Sequence, residues 1–520
     1  MNAANKVALN TGVLYVRMLL TMGISLYSTR LVLNVLGSTD YGIYNLVAGI
    51  IVMLSFLNTA MATSSQRYLS FHQGRNDLQK QKEVFTNSFF LHIVIGILIV
   101  IALEIAGFFL FDGFLNIPLD RIHSAKIIYH YMAVTVFFTV VSVPFNGLLI
   151  AHENMLWVAI VNIIETLLKL GIALLLYIIT LDKLVVYGFA MASIVIISFI
   201  LYSLFCFKKY PECTFKGVMK PEKSFLIELS GFAGWNLFGA LCSMGRNEGL
   251  ALILNMFFGT VVNAAYGIAN QVSSQLLFFS RTMLRALNPQ IMKSEGAGDR
   301  ERMMRLSMMA SKIGFFLLSF FAIPIIFEMP AILEFWLKDV PPNTIIFCRL
   351  ILLGAIINQL SVGLQSAMLA HGDIKIYHLF VGSVLLLNLP LSYFLLKLGS
   401  FPPYIVLISY VIIETLASIL RIIVSVKKIE LSVNKYFKEV FLKVLYPLII
   451  IIFIDFILVY FLSNYDYGFL VTIVISFLFY SLSIYFLGLN FKEKELLKKG
   501  FIKISRYIKD GNIKRAEKKI

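Results

Sequence analysis

Tyr41-Gly-Ile-Tyr-Asn-Leu-Val47 recurs as Tyr266-Gly-Ile-Ala-Asn-Gln-Val272, identical at five of seven positions and 225 residues further on. Ala151-His152 recurs as Ala370-His371 at an offset of 219, and Pro118 has a counterpart in Pro341 at 223. Three marks in one order and at nearly one spacing read as an internal repeat. The residues around them come in apolar blocks of about 20 or more, the length that crosses a bilayer as a helix. Of the 520 residues 59% are hydrophobic and only 14% charged, and the mean hydropathy is +0.84. A water-soluble chain of this size needs far more charged surface. No open sheet can satisfy its backbone in lipid, so the spans must be helices.

Spans are predicted at about 10–36, 41–66, 87–111, 127–150, 156–179, 184–207, 228–253, 261–284, 306–328, 344–370, 376–398, 404–426, 444–462 and 469–489. The fold class is therefore all-α: a polytopic membrane protein of about fourteen transmembrane helices. The first block is too long for a cleavable signal and lacks a small-residue cleavage site. An even count puts both termini on one side, and charge decides which. The N-terminus, the even-numbered loops and the C-tail hold more than 30 of the 45 Lys and Arg, whereas the odd-numbered loops hold Arg121, Lys126, Lys183, Lys338 and Lys397. The positive-inside bias makes both termini cytosolic, in an inner (cytoplasmic) membrane. The same bias accounts for much of the net +16 without a nucleic-acid partner. Trp157, Trp235 and Trp336 fall near predicted interfaces, as aromatic anchors do.

Each repeat copy holds six helices, so both enter the membrane with the same orientation, as a parallel repeat of two lobes. The expected organisation is an N-lobe over 1–207, a cytosolic linker over 208–225, a C-lobe over 226–426, two further helices over 427–489 and a basic tail over 490–520. In that tail Leu497, Phe501, Ile504 and Ile508 recur at helical spacing. The tail reads as an amphipathic helix on the anionic leaflet or as a solvated basic segment. Two lobes about a central seam are the architecture of alternating access, with a site near the midplane.

Polar residues in a membrane helix turn toward the bundle interior or a wet cavity. The first span carries Asn10, Arg17, Thr21 and Ser28; the second ends in Asn58, Thr59, Thr63, Gln66 and Arg67. The seventh carries Asn236, Ser243, Arg246, Asn247 and Glu248, and the eighth Asn270, Ser274, Arg281 and Arg285. An arginine fork suits a phosphate, with two charge-assisted hydrogen bonds and a charge that survives desolvation. Arg17, Arg30, Arg246, Asn270, Ser274, Arg281 and Arg285 are thus the candidate ligands of an anionic headgroup. The competing reading is that Arg17 and Arg30 snorkel to an interface and that Arg67 and Arg285 follow the positive-inside bias. Glu165 and Lys169, at i and i+4 in the fifth span, suit an intrahelical pair or a coupling site in which a proton or Na⁺ competes with the lysine. Glu414, without an obvious local partner in the twelfth span, and Glu248 are further coupling candidates. A lone intramembrane carboxylate is most cheaply kept protonated, and Asp455 is similar but lies outside the repeat. His152 and His371 occupy equivalent turns and read as interface residues. Cys206, Cys213, Cys242 and Cys348 show no metal or disulfide spacing. No nucleotide-binding loop, zinc helix or nucleophile elbow is present, so neither catalysis nor a cofactor is implied.

The run LNVLGSTDYGIYNLVAGI, with FLNIPLDRIHSA and ALNPQIMKSEGAGDRERM, resembles the bacterial polysaccharide-export and O-antigen flippases. Their superfamily also holds the multidrug-and-toxin extruders and the lipid II flippases. The resemblance covers essentially the whole chain, and its motifs are structural. It implies a two-lobed, fourteen-helix flippase with a cationic cavity, moving undecaprenyl-diphosphate-linked oligosaccharide for O-antigen, lipopolysaccharide, capsule or exopolysaccharide. Membrane lipids and a polysaccharide polymerase or assembly protein are the partners it implies. Arginines of helices 1, 2 and 8 line the cavity in similar lipid II flippases. Arg17, Arg30, Arg67, Arg281 and Arg285 occupy corresponding helices, and Arg246-Asn247-Glu248 departs from the single acidic residue common in helix 7. A cation-coupled multidrug or metabolite extruder is the alternative function. A membrane glycosyltransferase or polymerase is disfavoured, because the longest predicted loop, about 21 residues, is too short for a catalytic domain.

Overall fold

The computed structural model describes residues 3–52, 55–111, 117–214, 223–337, 339–399, 401–462, 465, 467–491 and 493–495. The tail positions Leu497, Phe501, Ile504 and Ile508, and residues 215–222 of the linker, lie outside them. Every regular element among the described residues is helical. Among the described residues, eleven helical segments are long and apolar enough to cross a membrane. The other three predicted spans lie in helices whose apolar run is interrupted by polar residues: α1 (Ala3–Val52) with α2 (Ser55–Gly74), and α8 (Lys223–Gly296). The protein is thus a polytopic all-α membrane protein.

Each long helix breaks at a glycine. Gly37 (φ 75°, ψ 171°) divides α1 and Gly259 (φ 76°, ψ −168°) divides α8. Positive φ with extended ψ is essentially closed to residues with a Cβ. The two glycines are 222 residues apart, within the spread of the repeat offsets, and each precedes its Tyr-Gly-Ile motif. A chain bend, not only a sequence motif, is duplicated.

The backbone divides into two compact units. The first comprises Asn10–Leu241 and Met292–Arg300. It contains α2, α3 (Leu78–Phe109), α4 (Ile122–Val141), α5 (Val143–Ala151), α6 (Met155–Leu175) and α7 (Lys183–Lys209). The fourth predicted span is interrupted at Ser142, just before Pro144, which enters at the start of α5 where its missing N–H costs nothing. Ala125, Ile128, Tyr129 and Ala133 are buried in this unit's core. On α3, Phe90, Val94, Ile97, Leu98, Ile101, Ile105 and Phe108 stay exposed at helical spacing, a stripe that would be a liability in water and is solvated by lipid. At the start of α4, Arg121 binds both Asp40 (2.8 Å) and Asp182 (3.1 Å), while Asp182, in the loop before α7, also accepts from Ser124 (2.6 Å) and caps α7 through Leu184 N.

The second unit comprises Met1–Leu9, Cys242–Ile291 and Glu301–Ile520. Its helices are α9 (Arg300–Phe327), α10 (Met329–Leu337), α11 (Thr344–His371), α12 (Lys375–Leu386), α13 (Asn388–Leu398), α14 (Ile405–Ile429), α15 (Val433–Tyr436), α16 (Leu442–Leu462) and α17 (Gly468–Ser483). The short α10 lies where only a loop is predicted, and the eleventh predicted span is broken at Leu387 into α12 and α13. Helices α11 and α14 approach closely: a Cβ on Gly354 would collide with the ring of Tyr410. Without water between helices, such small-residue contacts supply the van der Waals packing that holds a membrane bundle. The two helices beyond the repeat are fastened to α9. Ser319 and Tyr480 hydroxyls lie 2.7 Å apart, Phe320 stacks on Phe477 at 4.5 Å, and the buried Lys312 ammonium meets Glu493 at 2.7 Å.

Candidate functional site

On α14, Tyr410, Glu414, Ser418 and Arg421 share one face at spacings of four, four and three. That face meets Asn358 and Ser361 of α11, Tyr377 of α12 and Arg246 of α8. Glu414 Oε2 accepts from Arg246 Nη1 at 2.6 Å, and Oε1 accepts from Asn358 Nδ2 at 2.6 Å and from Arg421 Nη1 at 3.1 Å. Arg421 Nη1 also reaches Ser361 Oγ at 3.2 Å and lies in hydrogen-bonding reach of Tyr377. The Arg246 guanidinium lies 4.6 Å from the centroid of the Tyr410 ring, a cation–π contact that strengthens when desolvated. Glu414 is 1% exposed, Arg421 5% and Arg246 7%.

Two guanidinium groups and one carboxylate leave this buried cluster with a net charge of +1. A buried ion pair rarely adds stability over an apolar substitute, but removing one partner costs about 3–5 kcal/mol. The cluster therefore sets a precise arrangement of α8, α11 and α14 and leaves a positive field inside the helix bundle. The reading of Glu414 as an unpartnered carboxylate, most cheaply kept protonated, is corrected. All three of its contacts are donors, two of them cationic, and they suit the ionised form. Arg246, a candidate substrate ligand, and Glu414, a candidate coupling residue, belong to one network. Arg421, Asn358, Tyr377 and Tyr410 escape the sequence reading. For Tyr410 and Arg421 the trace in the sequence is their spacing with Glu414 and Ser418; Asn358 and Tyr377, on other helices, leave none.

The first unit holds a looser counterpart. Arg17 is half-buried on α1, and its Nε is buried with no hydrogen-bond partner among the described residues. Glu165 and Tyr202 lie within its electrostatic reach. Tyr202 OH accepts from Asn162 Nδ2 at 3.2 Å, and the same amide donates to Val158 O at 2.6 Å. Glu165 and Lys169 are both half-buried. No ion pair joins them among the described residues, contrary to the i, i+4 expectation, and Glu165 instead lies near the arginine of another helix.

The remaining candidates are dispersed. Arg30, Ser274, Arg281 and Glu248 are exposed, and Arg285 is half-buried. Asn270 Nδ2 donates to Tyr266 O at 3.1 Å, and Ser274 Oγ to Gln271 O at 2.9 Å, so both turn a donor back to their own helix. Arg67 is buried under the rings of Tyr68 (4.4 Å), Phe71 (5.0 Å) and Phe232 (5.2 Å). His152 contacts Glu212 and stacks on Tyr210 at 4.0 Å. Among the described residues, no group of three or more His, Cys, Asp or Glu side chains could hold a metal ion.

Solved structures similar in fold to this chain include named transporters. A multidrug resistance MATE family transporter of the MOP superfamily, in an outward-facing conformation, superposes with a TM-score of 0.72 at 14% identity, over 83% of this chain and 96% of that one. A MOP superfamily transporter from Pyrococcus furiosus, its binding pocket described as of reverse polarity, superposes with a TM-score of 0.69 at 13% identity, over 83% and 96%. A MATE transporter in a bent conformation gives 0.72 at 14% identity, over 83% and 98%. These likenesses concern the fold. No curated protein matches the chain in sequence. The family model described as polysaccharide biosynthesis protein matches residues 7–295, more than half of the chain and through both glycine bends. This multi-pass membrane protein, with the fold of MOP superfamily transporters, belongs to the polysaccharide biosynthesis protein family.

Proposed function

We propose that the protein is a flippase that carries undecaprenyl-diphosphate-linked oligosaccharide across the bacterial inner membrane by alternating access, both of its termini being cytosolic. The observation that carries this reading is the excess of guanidinium inside the helices, where charge is expensive. An arginine at the bilayer centre costs at least ~2.5–3.5 kcal/mol. Here one cluster keeps a net positive charge, and Arg17 keeps a buried donor with no hydrogen-bond partner among the described residues. Such donors suit the diphosphate of a lipid-linked sugar, for which arginine forks and hydroxyl groups replace water. Arg17, Arg30 and Arg281 supply charge to that headgroup, Asn270, Ser274 and Arg285 supply further polar contacts, and the isoprenoid tail stays in lipid. Arg246 acts through the Glu414 cluster and sets the field rather than gripping the ligand. The polysaccharide family supports this cargo, and no enzymatic step is needed for it.

One observation favours a second reading: the fold is shared with a multidrug resistance transporter. A cation extruder prefers carboxylates in its site, however, and the charge here has the other sign. The test is the variant carrying Arg17→Ala, Arg30→Ala and Arg281→Ala at normal membrane abundance. It is expected to lose most activity, with precursor accumulating on the cytosolic leaflet. The three Arg→Lys changes are expected to keep part of it, since charge survives and the bidentate fork does not. Full activity of the alanine variant would overturn the anionic-headgroup assignment and favour the extruder.

A further inference from the structure

The paired helices beyond the repeat contain a carboxyl group that none of the arginines serves. Asp455, midway along α16, is 0% exposed. Its Oδ1 contacts Ser476 Oγ of α17, and its Oδ2 is buried with no hydrogen-bond partner among the described residues. Proton bookkeeping decides its state. Ser476 Oγ also lies 2.7 Å from Thr472 O, a carbonyl that can only accept. A serine hydroxyl has one proton to give. If that proton goes to Thr472 O, the contact with Asp455 needs a proton from the aspartic acid, Oδ1–H donating to Ser476 Oγ. The Thr472 hydroxyl offers no replacement, because it donates to Gly468 O at 3.2 Å.

The surroundings agree. Among the described residues, Glu328, in the turn between α9 and α10 and of the same sign, lies within electrostatic reach of Asp455. From α11, Arg349 directs its guanidinium to Ile326 O (2.9 Å) and Phe327 O (3.4 Å). From α17, Tyr480 is engaged with Ser319 of α9 at 2.7 Å. A carboxylate with one shared donor and a like-charged neighbour is poorly solvated, whereas a neutral acid leaves only one carbonyl-like oxygen unpaired.

We propose that Asp455 is a proton-binding site, occupied as the neutral acid and built into the helix pair beyond the repeat. The proton leaves from Oδ1 to water. The carboxylate left behind must then gain a donor for Oδ2, which this packing does not supply. Deprotonation therefore requires α16 to separate from α17 or α9, and protonation draws them together. The site takes a proton, not a metal ion, and neither Glu414 nor Glu165 contributes to it.

The experiment is infrared titration of the purified protein in lipid bilayers, which is independent of what the protein transports. A carbonyl stretch of a buried protonated carboxyl is expected at neutral pH. It should shift with aspartate-selective ¹³C labelling, persist in Glu414→Gln and vanish in Asp455→Asn. The labelling needs no variant and so covers the case in which Asp455→Asn fails to fold. As pH rises and the band is lost, amide hydrogen exchange in α16 and α17 should accelerate in the wild type and stay level in Asp455→Asn. A spectrum with no label-sensitive band, or one that Asp455→Asn leaves unchanged, would overturn the assignment. So would helix exchange that ignores the loss of the band.

Discussion

Glu414 and Asp455 are both buried carboxyl groups on helices of one unit, and their surroundings are opposite. Around Glu414, two guanidinium groups and an amide converge on both oxygens. Around Asp455 there is one serine hydroxyl, whose single proton is shared with a carbonyl, and an oxygen with no partner among the described residues. Burial is the same for both, so burial does not set the charge. The number of donors does. The first group anchors an electropositive cluster at the meeting of α8, α11 and α14. The second sits in a hydroxyl-lined seam between α16 and α17 that offers it no cationic partner among the described residues, which suits a group that exchanges a proton.

The sharpest break of this comparison is a pair of isosteric changes. Glu414→Gln leaves Arg246 and Arg421 buried without a counter-charge, and unfolding of the purified protein should show a loss of about 3–5 kcal/mol. Asp455→Asn should cost less than about 1 kcal/mol, the scale of one exchanged hydrogen bond, because the amide donates to Ser476 as the neutral acid does. Equal losses in the two variants would erase the distinction between an ionised and a neutral carboxyl. Between these two in size is the bend shared by the repeat copies. Gly259→Ala should destabilise by about 1–3 kcal/mol through backbone strain alone, since nothing lies within 4 Å of the added carbon. The same change at Gly267, in the interior of the helix with φ unremarkable, should be neutral or slightly favourable. A Gly259→Ala variant as stable as the wild type would remove the argument for a required left-handed position.

The smallest effect lies outside the membrane. Burial raises the Asp182 carboxyl, but hydrogen bonds from Ser124 and Arg121 outweigh it and hold the group below the ordinary aspartate range. A depressed carboxyl stabilises the fold above its unfolded value, and the contribution is lost as pH falls through the lower folded value. Thermal stability should therefore decline on acidification below the usual carboxylate range, and Arg121→Gln should flatten that slope. Arg121 is partly exposed, so solvent screening keeps the effect small. An unchanged acid slope in Arg121→Gln would show that the contact carries no linkage.

Hydropathy alone made the helices legible, because a bilayer allows few alternatives. The paired Tyr-Gly-Ile motifs disclosed the duplication, and the structure adds the glycine bend that precedes each of them. The breaks at Ser142 and Leu387 and the short α10 were not legible, since in each case an apolar run continues through a change of direction. The candidate site was read only in pieces. In sequence Arg246 and Glu414 suggest separate roles, yet they meet at 2.6 Å across 168 residues of chain. Glu165 and Lys169 suit a pair because they are one helical turn apart, yet the structure places Glu165 near Arg17 of another helix.

The sequence by itself determined that this chain is a polytopic membrane protein built of helices, and it marked the paired motifs that read as a repeat. Each follows from one-dimensional patterns: the length of apolar blocks, the scarcity of charge and the spacing of motifs. Only the tertiary structure decided which intramembrane charges meet. In a low-dielectric interior the state of an ionisable group depends on donors a few ångströms away, and those donors come from helices that the chain order keeps far apart.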